Sequence, residues 1–203
     1  MKSVKKIKAL CIVAHPDDET IWMGGKILKE KDWDWTILSL CRGDDRDRMP
    51  KFKKVCRIYG AKAVISDLDD EKLNPLAVSE IINKIKENLH SGNYDYIFTH
   101  GKNGEYGHLR HKEIHKAVKK MVYSGELNCK GLYCFSYSSG GESAFHDPNL
   151  KIPVAKKSSD LFLELDDVQH NLKKEIVRDI YGYPNENSFE LKSCGRWEAF
   201  VTR

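Results

Sequence analysis

The sequence predicts an α/β protein with a mostly parallel, Rossmann-like sheet and helices on both faces. Three observations lead there. Short apolar runs alternate with segments of helical period in the order β-α-β-α-β-α-β, which is the pattern of a parallel sheet wrapped by helices. The connections between them are short. Both clusters of chemistry-bearing side chains fall just past predicted strand ends, where ligands sit in such sheets.

Each element has its own signal. Leu10 to Ala14 is an unbroken apolar run and reads as a buried first strand. Thr20 to Lys31 places Ile21, Gly24, Ile27 and Leu28 on one helical face. Glycine inside a helix costs roughly 1 kcal/mol relative to alanine, so Gly24-Gly25 implies close packing against a neighbour. Trp35 to Leu40 is the second strand, and Phe52 to Tyr59 the second helix, with Pro50 suited to its first turn and Gly60 to its end. Ala63 to Ser66 is a third strand, followed by the acidic loop 67–71. Val78 to Leu89 repeats isoleucine and leucine at helical spacing, and Tyr94 to Thr99 is the fourth strand. A helix over about His111 to Tyr123 and a strand around Leu132 to Phe135 follow. Residues 138–159 show no periodicity and read as a long surface loop. Leu161 to Leu165 alternates as a strand, Asp167 to Ile180 is a last helix broken at Gly182-Tyr183-Pro184, and the tail from Phe189 to Val201 offers an edge strand.

Length and composition narrow the classes. A chain of 203 residues supports one substantial core. The expected organisation is a single domain over 1–203, with 1–122 carrying both motif clusters and 123–203 adding strands, loop and helix. Apolar residues are 40% of the chain, but no run reaches the roughly 18 to 20 needed to span a membrane. Lys2, Lys5, Lys6 and Lys8 precede an apolar stretch too short for a signal sequence, so a soluble, cytoplasmic protein is expected. The six cysteines form no C-x-x-C pair. Net charge is only +4, and the basic run from Arg42 to Arg57 is interrupted by Asp44, Asp45 and Asp47, so nucleic acid is not an expected partner. No feature specifies an oligomeric state.

The first cluster is His15-Pro16-Asp17-Asp18-Glu19, directly after the first strand. Carboxylates ahead of a helix can serve as caps. His15 and Asp18, three apart across a proline-stiffened turn, can equally reach one cation as a nitrogen–oxygen pair. The second cluster is Gly104-Glu105-Tyr106-Gly107-His108-Leu109-Arg110-His111, in which His108 and His111 share a face if the turn is helical. His111 and His115 do not make a zinc-protease helix, because Lys112 stands where that motif needs glutamate.

The stretch Ala14 to Glu19, Gly24-Gly25 and the later Gly-His-x-x-His element together resemble the LmbE/PIG-L family of zinc-dependent N-acetylglucosaminyl deacetylases. Arg48, Lys51, Val55, Tyr59 and Gly60 follow the spacing of that family's Arg-x-x-Glu-x-x-x-Ala-x-x-x-Leu-Gly helix, with lysine for the glutamate, and Asp70 with Leu73 resembles its Asp-Gly-x-Leu loop. The resemblance implies that His15, Asp18 and His111 bind one zinc ion per chain, with Fe2+ as another divalent possibility. It implies that Asp17 is the general base and His108 a general acid or oxyanion partner, and it points to Arg48 and Asp70 as substrate contacts; among the aromatic residues Tyr106, next to His108, is the best placed to touch substrate. The implied reaction is removal of an N-acetyl group from an amino sugar or its glycoconjugate. Hydrolysis of a different N-acyl amide on the same centre, or a sugar- or nucleotide-binding module with impaired catalysis, are the alternatives. The chain departs from the family pattern at two places. Leu109-Arg110 replaces the Pro-Asp common between the two histidines, leaving Glu105 or Glu113 to orient His108, and Tyr181-Gly182-Tyr183 stands where many members have His-x-Ser-Gln.

Overall fold

The computed structural model describes residues 6–202; Lys2 and Lys5 lie outside the described residues. Among these, the central sheet has seven strands in the order β10-β11-β5-β4-β1-β2-β3. β1 (Lys8–Val13), β2 (Asp34–Ser39), β3 (Lys62–Ile65), β4 (Tyr96–Thr99) and β5 (Gly131–Phe135) run parallel. β1 lies at the centre, and its residues alternate between the two faces. Ala9, Cys11 and Val13 enter one core cluster with Phe52 and Ile176, while Leu10, Ile12 and Ala14 enter the other with Ile81 and Ile114. A strand buried on both faces reads as continuous apolar sequence, which is why β1 was legible.

α1 (Asp18–Lys29) and α2 (Arg48–Ile58) cover the first face, and α3 (Val78–Asn88) and α5 (Leu109–Ser124) the second. A single turn, α4 (Gly104–Gly107), precedes α5. α1 is kinked at Met23, whose φ is −149°. A Cβ on Gly25 would lie 2.1 Å from Leu165 Cδ2, so the close packing expected of the glycine pair is present. Elements start up to four residues from where the pattern placed them. α2, for example, opens at Arg48 and takes Pro50 into its first turn.

The C-terminal third differs from expectation in three ways. The segment 138–159 is not an unstructured loop. It carries β6 (Tyr137–Ser138), β7 (Ser143–Ala144), β8 (Asp147–Lys151) and β9 (Val154–Ala155), with β7 paired to β8 and β6 to β9. β8 is almost wholly exposed, so it has no buried face to write an alternating pattern. After β10 (Leu161–Glu164), the last helix runs as α6 (Asp167–Glu175) and then widens into a π-helical turn, Ile176–Tyr181. The tail forms α7 (Phe189–Ser193) and β11 (Trp197–Thr202), and β11 is an interior strand between β10 and β5, antiparallel to both. Glu198 disguised it. This fully buried carboxylate pairs with Lys173 Nζ at 2.8 Å and accepts the Gly25 and Lys26 amides below the α1 kink.

The sheet order makes β1 and β4 neighbours whose onward connections leave in opposite directions, β1 toward β2 and β4 toward β5. The loops at their carboxyl ends therefore open a crevice at a topological switch point. The first motif and the histidine-rich turn meet there.

Candidate metal centre and active site

His15, Asp18 and His111 converge at the crevice although His111 lies 96 residues beyond His15. His15 Nδ1 is 3.2 Å from Asp18 Oδ2, His111 Nε2 is 3.3 Å from the same oxygen, and the two nitrogens are 3.3 Å apart. The far side of each imidazole faces a carboxylate. His15 Nε2 donates to Asp70 Oδ2 at 2.9 Å, and His111 Nδ1 donates to Glu105 Oε2 at 2.6 Å. In those tautomers the remaining lone pairs, together with Asp18 Oδ2, point at one another. Three acceptors so placed repel unless a cation or protons lie between them. Accordingly, although burial alone lowers both imidazoles, their carboxylate partners outweigh it and raise His15 to about 9 and His111 to about 10.

The donor set fits a divalent metal ion. Ligands about 2.0 Å from a tetrahedral zinc stand about 3.3 Å apart, the edge length of this triangle. A ligating histidine that donates its other N–H to a carboxylate is the common arrangement behind metal sites. Three protein donors leave a fourth position open, as in catalytic rather than structural zinc sites.

Glu105 is itself held. It is buried at a backbone φ of 56° and accepts Gly101 N–H at 2.7 Å and His100 Nδ1–H at 2.9 Å. His100 Nε2 accepts the Ala14 amide at 2.9 Å, which sets its tautomer, and its ring stacks on His111 at 3.8 Å. Burial raises the Glu105 carboxyl, but the two histidines prevail and bring it to about 2. His100 is not legible in the sequence, because one imidazole ending a strand carries no spacing signal.

Asp17 stands next to Asp18 and turns the other way. Its φ of 121° is one that side-chain-bearing residues rarely adopt, and it directs the carboxylate into the cavity. Asp17 Oδ2 accepts from Tyr183 Oη at 2.7 Å and from Arg48 Nη1 at 3.2 Å. Burial and the Asp18 charge raise it to about 7 against the pull of Arg48 and Tyr183. Glu19 holds this strained turn from below, accepting the Asp17 amide at 3.1 Å and Tyr181 Oη at 2.7 Å. In the sequence, Tyr181 and Tyr183 stand out only as a departure from the family pattern. Tyr183 is 166 residues from Asp17, and nothing local marks it as a partner.

The cavity has a volume of about 390 Å³. His15, Asp17, Asp18 and Asp70 form its floor, Trp22, Tyr106, Tyr183 and Phe189 its aromatic wall, and Arg42, Asp45, Arg48 and Glu190 its polar remainder. The three residues expected to meet substrate, Arg48, Asp70 and Tyr106, thus all reach it, with Asp70 Oδ2 also serving His15. His108 is partly buried, its ring edge-on to His15 at 4.9 Å and tilted to His111 at 4.6 Å. Neither carboxylate expected to orient it does so. Glu105 serves His100 and His111, Glu113 pairs with Arg110, and His108 Nδ1 is buried without a hydrogen-bond partner among the described residues. Burial and the neighbouring imidazoles push His108 down to about 3, so it is a neutral ring.

Fold and site together define an α/β protein of the Rossmann-like class with a carboxylate-backed His-Asp-His donor set at its switch point. Residues 10–122 match the PIG-L family, described as GlcNAc-PI de-N-acetylase. The chain belongs to that family. It is 29% identical over 151 residues to uncharacterized protein L374 of Acanthamoeba polyphaga mimivirus, covering 66% of this chain and 64% of the viral protein. In fold it is similar to N,N'-diacetylchitobiose deacetylase from Pyrococcus horikoshii, with TM-score 0.66, 16% identity and coverage of 97% of this chain and 83% of that one. It is also similar to the 4-carboxy-2-hydroxymuconate hydratase GalB from Pseudomonas putida KT2440, with TM-score 0.59, 14% identity and coverage of 97% and 96%. The same fold therefore carries different chemistries, and the activity of this chain has to be argued from its site. No helix among the described residues is long and apolar enough to cross a membrane.

Proposed function

We propose that this chain is a zinc-dependent hydrolase that removes the N-acetyl group from an N-acetylated amino sugar or its glycoconjugate. The observation that carries the reading is the triangle of His15 Nδ1, Asp18 Oδ2 and His111 Nε2, each histidine backed by a carboxylate, with His15 and Asp18 lining the cavity that Asp17 enters. Family membership supports it.

His15, Asp18 and His111 hold the ion. When bound, it supplies Lewis acidity toward the amide carbonyl and toward water. Asp17 faces the cavity, takes a proton from the water that attacks the acetyl carbon, and returns it to the amine nitrogen as the C–N bond breaks and acetate leaves. Tyr183 and Arg48 fix its orientation, which keeps the accepting oxygen in line with the reacting atoms. His108 has no carboxylate behind Nδ1 to support an imidazolium, so its part is to donate an N–H to the developing oxyanion rather than to act as a strong acid. The partly exposed ring of Tyr106 offers a face for the sugar, and Arg48 a donor for its hydroxyls.

The test is metal content measured together with acetate release from a panel of N-acetylated sugars and unrelated N-acyl amides. Purified protein is expected to hold one divalent ion and to release acetate from at least one amino sugar, and Asp18→Ala to lose both. A metal-free protein, or an Asp18→Ala variant of undiminished activity, sinks the proposal. Activity confined to other amides moves the substrate class and leaves the metal chemistry standing.

A further inference from the structure

The most unusual residue of the second motif is Arg110, one position before ligand His111. Its side chain is fully buried, at 0% exposure. Burying a guanidinium costs several kcal/mol unless its partners are good, so such a residue needs a task that neutral side chains would not perform. It does not turn to His108. Arg110 Nη1 donates to Glu113 Oε2, and Nη2 donates to the Asn74 carbonyl at 3.3 Å. Glu113 Oε1 in turn accepts the Leu76 amide at 2.9 Å. Both members of the ion pair therefore grip the backbone of one segment, residues 67–76. This segment forms no helix or strand, and residues 71–75 are exposed. At its near end the Leu68 amide is held by Leu40 O at 2.8 Å, and the Arg110–Glu113 clamp holds the far end.

Between those two anchors sits Asp70. Its Oδ2 accepts from His15 Nε2, while Oδ1 faces Arg110 Nε at 3.9 Å, both atoms buried and lacking a hydrogen-bond partner among the described residues. The Arg110–Glu113 pair thus reaches the loop three ways: the guanidinium through the Asn74 carbonyl and the charge of Asp70, and Glu113 through the Leu76 amide.

We infer that Arg110, together with Glu113, is a positioning residue of the metal centre: it clamps residues 67–76 so that Asp70 holds His15 with Nδ1 turned to the cation. The inference rests on the metal reading above and names what Leu109-Arg110 does there. The second motif supplies one ligand directly, through His111, and secures another, His15, by way of a loop that neither motif contains.

Zn2+ affinity, read by competition with a chromophoric chelator, tests it in a thermodynamic cycle. Arg110→Met alone would strand the Glu113 carboxylate, so the clamp is removed with Arg110→Met and Glu113→Gln together, which keeps an acceptor for the Leu76 amide. Asp70→Ala is expected to weaken Zn2+ binding about 10–100-fold, and the clamp variant about tenfold. Introduced into Asp70→Ala, the clamp changes should weaken binding by no more than about twofold further, because their path to His15 is already cut. Should the clamp variant not fold, Arg110→Lys, which keeps the charge and loses the fork, takes its place in the same cycle with the same expected non-additivity. Full additivity, or wild-type affinity in the clamp variant, overturns the inference and leaves the metal reading intact. Wild-type protein that takes up no Zn2+ overturns both.

Discussion

The two sides of the cavity are built in contrasting ways. On the side of β1 and β4, each imidazole facing Asp18 is locked from behind by a carboxylate, and one of those carboxylates, Glu105, is locked again by His100 and a backbone amide. Asp18, Glu105, His100 and His111 are all buried. On the opposite side, Arg48, Tyr183, Phe189 and Glu190 come from the start of α2 and the C-terminal segment, and remain partly exposed except for their meeting point at Asp17. A side that held a cation would have to grip it in one geometry, and the first side is buried and networked in the way that requires. A side that admitted a substrate would have to let it enter and leave, and this one is partly exposed and held by fewer bonds. Asp17 lies on the seam between them, adjacent to Asp18 yet hydrogen-bonded only to the second side and its own turn.

If that division holds, a change at the seam should separate chemistry from metal binding more sharply than any other. Asp17→Asn is expected to keep the bound ion and to lower kcat by about 10²–10⁴-fold, the usual contribution of a positioned general base. Metal content and turnover measured on one preparation decide it. Loss of the ion along with turnover would place Asp17 on the metal side and erase the seam.

The reverse pattern is expected from Glu105→Gln. Glu105 only accepts hydrogen bonds here, from His100, His111 and Gly101. A glutamine must turn its NH2 toward one of those donors, which loosens the His111 ring. Metal affinity should fall about 10–100-fold, with kcat at saturating metal close to wild type. A fall in kcat at full occupancy, with affinity unchanged, would show that the network serves catalysis instead.

The same contrast explains what could be read in the chain. The metal side follows from local signals: an apolar run ending in His15-Pro16-Asp17-Asp18, and a strand ending before Gly-His-x-x-His. Buried parallel strands write themselves as apolar runs, and β-α alternation brings their carboxyl ends together. The substrate side has no such grammar. Tyr183 follows a π-helical turn and Glu190 sits in a five-residue helix, and the chain that carries both ends in β11, which enters the sheet interior. That last step depended on Glu198, whose charge reads as exposure until Lys173 is seen opposite it. The task of Arg110 was illegible for a similar reason: its partners Asn74 and Glu113 lie 36 residues away and one helical turn away, and neither distance forms a pattern.

The smallest expected effect tests how far the substrate side is redundant. Tyr183 Oη and Arg48 Nη1 share a single oxygen of Asp17, and the Arg48 guanidinium lies over the Tyr183 ring at 4.9 Å. A hydrogen bond to a charged group contributes about 1.5–3 kcal/mol when nothing replaces it. In Tyr183→Phe the ring that supports Arg48 remains, and Arg48 still reaches Oδ2, so the carboxylate loses one of two restraints. The expected result is a fall in kcat of about tenfold, near the lower end of that range, with metal affinity unchanged. A loss as large as that of Asp17→Asn would mean that Tyr183 acts on the reacting atoms themselves. A loss of metal affinity would mean that the two sides are coupled through the strained Asp17 turn, and Glu19, which joins that turn to Tyr181, would be the residue to change next.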